Sequence, residues 1–251
     1  MPLPSRALLD TELNDLNQSV LALGSMVDKA IGEAVDALMT NNIQLAESVI
    51  TGDAEINRLR FHIEEKSYVI LSTQQPLARD LRTVIAAIHF AIELERIGDH
   101  AAGIARIVTR MEEMPRPVII ETIDTEDSAE LSLEDSIDDA APTLRLKLSR
   151  LPKMTKRGRD MLNRAIEAFI ERNVDKANAI VKRDRKLDRQ YQKFFAEAMA
   201  EMISQHEAEM PTYLLWIAHN LERIGDRTTN LAERVIFMVT GQYTEVLEDY
   251  E

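Results

Sequence analysis

Between residues 8 and 40 apolar side chains recur in steps of three or four: Leu13, Leu16, Val20, Leu23, Val27, Ile31, Val35 and Leu38. This spacing gathers them on one stripe of an α-helix but scatters them over both faces of a strand, so the segment is committed to a long helix that must bury one side. The period resumes over about 44–72, 77–112, 151–171, 174–205 and 212–239. The eight prolines (2, 4, 76, 115, 117, 142, 152 and 211) fall where the pattern stops, because proline inside a helix removes a hydrogen bond and clashes with the preceding turn. Aromatic residues make up only 5% of a chain that is 45% hydrophobic, which disfavours a β-sandwich. The expectation is an all-α protein of two tandem three-helix bundles, six long helices in all. The bundles occupy 1–112 and 151–251, joined by an acidic, proline-flanked linker or excursion over 113–150, where 118–123 suits a short strand and 127–139 a helix.

The two halves share more than a helix count. Leu94-Glu95-Arg96-Ile97-Gly98-Asp99 recurs unchanged as Leu221-Glu222-Arg223-Ile224-Gly225-Asp226, each in the third helix of its unit. A weaker echo in the second helices matches Asp53 and Asn57 with Asp184 and Asp188. Repetition of a supersecondary unit implies duplication and a pseudo-twofold arrangement.

Residues four apart share a helix face, so Glu95 with Asp99, and Glu222 with Asp226, project paired carboxylates from one patch. Their repulsion needs an offset, and Arg96 and Arg223 are placed three residues before each Asp to supply it. Glycine inside a helix costs about 1 kcal/mol relative to alanine. Its use at both Gly98 and Gly225 implies close approach of either a caged cation or a neighbouring helix. With Asp53, Asn57, Asp184 and Asp188, each unit offers four oxygen side chains from two helices, a donor set for a hard metal ion. A solvated acidic face is the competing reading, and duplication of the whole arrangement weighs against it.

Other chemistries lack their residues. With no cysteine there is no disulfide, thiolate zinc site or iron–sulfur ligation. The five histidines form neither His-x-x-x-His nor Glu-x-x-His, which disfavours a ferritin-like carboxylate-bridged iron enzyme. No phosphate-cradling glycine loop or Gly-x-Ser-x-Gly occurs, and no catalytic constellation is expected. His219 reads as an ordinary helix histidine, and Arg79-Asp80-Leu81-Arg82 as a helix-start surface. The net charge of −13 is local: residues 121–139 hold nine acids and no base, and 245–251 four more, leaving thirty acids against thirty bases elsewhere. No basic surplus points to nucleic acid. The N-terminus lacks a secretory h-region and no apolar run approaches the ~20 residues of a membrane span, so a soluble chain is expected.

The doubled Leu-Glu-Arg-Ile-Gly-Asp, the 75–82 entry to the third helix (Gln-Pro-Leu-Ala-Arg-Asp-Leu-Arg), and the 226–233 run Asp-Arg-Thr-Thr-Asn-Leu-Ala-Glu together resemble the PhoU family of phosphate-signalling regulators, from about residue 8 to 240. The resemblance implies two three-helix bundles, each holding a multinuclear cluster of iron, zinc or a similar metal. By position, the implied ligands are Glu95, Asp99, Asp53 and Asn57 in the first bundle and Glu222, Asp226, Asp184 and Asp188 in the second. Asn230 joins the second set, whereas Gly103 stands in its place in the first. The resemblance further implies a cytoplasmic homodimer that restrains the phosphate regulon when phosphate is plentiful. It would link a phosphate ABC transporter to a sensor histidine kinase and meet the membrane only through such partners. The long acidic 113–150 segment departs from the family pattern. A metal-free helical adaptor remains the alternative to a metal-binding regulator.

Overall fold

The computed structural model describes residues 6–112, 114, 148–206 and 208–242. Six helices account for nearly all of them: α1 (Arg6–Thr40), α2 (Ile43–Gln74), α3 (Ala78–Arg110), α4 (Arg150–Glu171), α5 (Val174–Gln205) and α6 (Glu209–Thr240). Among the described residues there is no strand. The strand and helix expected within 118–139 lie outside the described residues. Pro152 and Pro211 sit in the first turns of α4 and α6, where a missing N–H costs no helical bond.

The helix boundaries themselves repeat. Asn42 and Asn173 cap α2 and α5, each accepting a 3.0 Å hydrogen bond from the backbone N–H three residues on. Left-handed backbone precedes both caps, at Asn41 and Arg172, and closes α2 and α5 at Gln75 and His206. Each matched pair is 131 residues apart (41 to 172, 42 to 173, 75 to 206). The duplication thus extends to turn chemistry, with Asn used where a side-chain acceptor must satisfy an orphan N–H.

Within each unit the third helix packs on the other two, and the units meet through α3 against α6 and α1 against α4. The α2 and α5 helices touch only their own bundles and flank this four-helix centre. The apolar stripe of α1, from Leu16 to Ile31, is fully buried. Along α3 the buried positions include Ala86, Ala87, Ala91, Gly98, Ala101 and Ala105, small residues that let three neighbours approach one helix.

Polar contacts fix how the units dock. Arg159 of α4 donates twice to Asp28 of α1, at 2.9 and 2.7 Å, and Asn163 adds a third bond at 3.2 Å. Phe90 stacks on Phe169 at 4.4 Å. Arg82, expected on a surface, instead donates from Nε to the Met238 carbonyl at 3.2 Å near the end of α6, and Arg172 donates to Thr83 Oγ1 at 2.6 Å. At the α3/α6 contact, Glu93 faces Arg227 and Asn220 faces His100, at 3.5 and 3.0 Å. With the motif offset of 127 (95 to 222), Asn220 matches Glu93 and Arg227 matches His100. One contact is therefore made twice about the pseudo-twofold axis with different chemistry.

Candidate metal centre

Because α2 lies along α3 and α5 along α6, the two pairs of oxygen-bearing side chains of each unit meet across a single helix–helix seam. In the second unit the convergence is tight: Asp184 and Asp188 of α5 and Asp226 of α6 each offer an oxygen within 4.8 Å of the other two. Glu222 borders the group, its Oε2 3.3 Å from Nδ1 of His219. Arg223 pairs with Asp226 at 2.5 Å, as its spacing predicts. Among the described residues Asp184 Oδ1 is buried and accepts no hydrogen bond, while Thr229 binds the same carboxylate.

Electrostatics follow from this crowding. Burial, then Asp188 and Asp226, push the Asp184 carboxyl up to about 7 against the opposing hydrogen bond from Thr229. Burial and Asp226 likewise push Glu222 up to about 7. Burial and the Glu222 charge raise the Tyr191 phenol. Adjacent carboxylates that each disfavour the other's ionisation are stabilised either by shared protons or by a bound cation. The unsatisfied, inward-facing Asp184 oxygen and the all-oxygen donor set suit a hard metal ion. When bound, such an ion supplies positive charge that holds the carboxylates ionised. Asp184, Asp188, Asp226 and Glu222 are the residues that would hold it.

Gly225 makes the approach of α5 possible. A Cβ there would lie 2.5 Å from Leu187 Cδ2 and 2.7 Å from Asp184 Oδ1. Gly98 has the same role in the first unit, with its missing Cβ 3.1 Å from Ile56 Cδ1. A neighbouring helix accounts for both glycines, and in the second unit it also carries a candidate ligand.

The first unit is built differently. Asp53, Glu95 and Asp99 share a seam, and burial followed by the Asp99 charge raises both Asp53 and Glu95. They do not reach the mutual spacing of the second group, which alone brings three acidic oxygens that close among the described residues. Asn57 turns inward on its own helix, its Nδ2 donating to the Asp53 carbonyl at 3.2 Å and to Asp53 Oδ2 at 3.4 Å. Three arginines oppose the acids: Arg106 acts on Asp53, and Arg60 and, more weakly, Arg96 on Glu95. The second-unit positions matching Arg60 and Arg106 are Tyr191 and Glu233, so there their compensation is missing. Arg96 departs from its expected pairing with Asp99 and joins Glu93 at 3.3 Å, drawn by an acid that the α3/α6 interface already half-buries. Asn230 also meets Glu93, donating from Nδ2 to Oε2 at 3.3 Å. Sequence reasoning missed Arg60, Arg106 and Thr229; an Arg one or two helical turns from an acid on the same helix face was the available signal.

A duplicated three-helix bundle with a carboxylate seam in each half defines an all-α class in which helix pairs present acids in register. The chain belongs to the PhoU family: the PhoU domain matches residues 20–108 and 151–235. It is 29% identical to the phosphate-specific transport system accessory protein PhoU homolog of Clostridium acetobutylicum, over 96% of this chain and 99% of that one. It is 31% identical to the PhoU accessory protein of Serratia marcescens, over 93% and 85% respectively. Its fold matches the crystal structure of PhoU from Pseudomonas aeruginosa with a TM-score of 0.77 at 29% identity, covering 93% of this chain and 99% of that one. The phosphate transport system regulatory protein PhoU from Streptococcus pneumoniae matches at 0.75 and 28%, covering 95% and 100%.

Proposed function

We propose that this protein is a cytoplasmic, non-enzymatic regulator of phosphate uptake that holds metal on the α5/α6 carboxylate seam. In phosphate-rich cells it would restrain phosphate-regulon signalling by joining a phosphate ABC transporter to its sensor histidine kinase. The observation that carries the metal assignment is the convergence of Asp184, Asp188 and Asp226 around a buried, unpartnered carboxylate oxygen. The regulatory assignment is supported by the accessory-protein names of relatives aligned over nearly the whole chain. No described helix is long and apolar enough to cross a membrane, in keeping with contact through partners. Iron and zinc both accept carboxylate ligands, and a multinuclear cluster with a second, weaker position on the α2/α3 seam fits the repeat. A homodimer is part of the proposal.

Deletion of the gene should derepress alkaline phosphatase in phosphate-rich medium, and the wild-type gene should restore silence. A deletion strain in which the enzyme stays silent contradicts the regulatory role. Complementation with Asp184→Ala/Asp226→Ala separates the metal from the signal: continued derepression ties the two together, whereas full silence makes the protein a metal-independent adaptor.

A further inference from the structure

The α4–α5 hairpin carries a charge that the rest of the chain does not. Residues 150–205 contain fourteen Lys and Arg against eight Asp and Glu, in a protein of net charge −13. Much of this excess faces one groove of about 530 Å³ between the two helices, lined by Lys153, Lys156, Arg157, Asp160, Arg183, Lys186 and Gln190. Helical spacing explains the convergence. Lys156 and Arg157 are neighbours that each lie three or four residues from Lys153 and Asp160 along α4, and Arg183, Lys186 and Gln190 are three and four apart along α5. Asp184 and Asp188 occupy the adjoining stripe of α5, turned towards α6, so one helix serves two oppositely charged surfaces.

Inside the groove the single acid is already engaged. Asp160 accepts from Arg164 at 2.9 Å and lies 3.3 Å from Arg183. Lys156, Arg157 and Lys186 form no ion pair or hydrogen bond among the described residues. These three unpartnered cations, which repel one another over a shared concavity, are stabilised by an anion of matching charge, and guanidinium forks with ammonium point charges suit phosphoryl oxygens.

We propose that the α4/α5 groove is a binding site for a compact multiply charged phosphate anion, of the size and charge of a triphosphate. A single orthophosphate, with a charge of about −1.5 to −2, leaves Lys156, Arg157 and Lys186 incompletely compensated. A triphosphate chain spans the groove and meets both helices. The site is separate from the carboxylate seam, so it stands or falls independently of metal binding.

The test is isothermal titration of the full chain, stripped of metal and dialysed free of chelator, with inorganic tripolyphosphate at low ionic strength. One-to-one binding is expected, weakened roughly tenfold or more by Lys156→Gln/Arg157→Gln/Lys186→Gln and several-fold by raising the salt from 50 to 200 mM. The double variant Lys156→Gln/Lys186→Gln, which changes only exposed side chains, guards against a folding defect and should lose most of the affinity. A control triple, Lys29→Gln/Arg58→Gln/Lys66→Gln, should bind as wild type. ATP binding with similar dependence on the groove residues assigns the shared triphosphate to a nucleotide, and tripolyphosphate alone assigns it to a condensed phosphate; either supports the site. Four results overturn it: no heat at low salt, equal loss in the control triple, binding that appears only when metal is restored, or attachment to phosphatidylglycerol vesicles that tripolyphosphate does not displace.

Discussion

At Gly225 the α5/α6 seam is closed to within a methyl group, and the cost of adding one is readable from its neighbours. A Cβ 2.5 Å from Leu187 Cδ2 and 2.7 Å from Asp184 Oδ1 makes both side chains shift within the packed seam. Gly225→Ala is expected to destabilise the protein by about 1–3 kcal/mol, despite the better helix propensity of alanine, and to lower its metal content. Gly158→Ala, whose Cβ meets only Ile224 at 3.5 Å, should instead add about 0.5–1 kcal/mol. Urea unfolding of the two variants checks both signs. Protonation belongs to the same scale. Folding raises Asp184 from 3.8, and Glu222 from 4.5, to about 7. Between about pH 4 and pH 7 the folded, metal-free protein retains protons that the unfolded chain has released, so stability falls as pH rises. The contribution is complete below about pH 4 and gone above about pH 7. Asp184→Asn/Glu222→Gln removes it, and the urea midpoint of that variant should vary less between pH 5 and 8 than that of metal-free wild type. An equal slope contradicts the coupling. Bound metal would reverse the dependence in wild type, because its ligands must be deprotonated.

Helices were the most legible feature of the chain. Long apolar periods with Asn or Pro at the breaks leave little choice of element, and the expected boundaries moved by only a few residues, as end turns closed on local caps rather than on the apolar stripe. Side-chain partners across helices were less legible. Arg96 and Asp99 have ideal spacing on α3, yet Arg96 goes to Glu93, because docking of α6 half-buries that acid. Arg82 looked like surface until the end of α6 supplied it with a carbonyl. The docking of α4 on α1 is similarly invisible in the sequence and depends on Asp28, which accepts three bonds from α4. Asp28→Ala strands a half-buried guanidinium and should cost about 1–3 kcal/mol. Lys29→Ala, removing an exposed 3.6 Å pair with Glu33, should cost under about 0.5 kcal/mol. Comparison of the two urea midpoints tests whether the docking contact carries the difference.

Across the whole molecule the duplication preserves backbone and changes charge. The helix caps, the left-handed turns and the paired acids repeat, while Arg60 and Arg106 face acids in the first unit and Tyr191 and Glu233 replace them in the second. The eight paired positions were legible as a repeat, but their inequality depends on which neighbours face the seam and was not. The second seam should therefore fill with metal first, and the first only at higher metal concentration. Residues 121–139, which with the tail account for the net charge, lie outside the described residues, and deleting them should leave the metal-to-protein ratio unchanged by elemental analysis. The most direct measurement is an anomalous difference map of crystals grown with iron or zinc and collected at the metal edge. The account predicts its strongest peak between Asp184, Asp188 and Asp226, with Glu222 at its border and a weaker or no peak at Asp53, Glu95 and Asp99. A map without a peak at the α5/α6 seam, or with the stronger peak in the first unit, would contradict it.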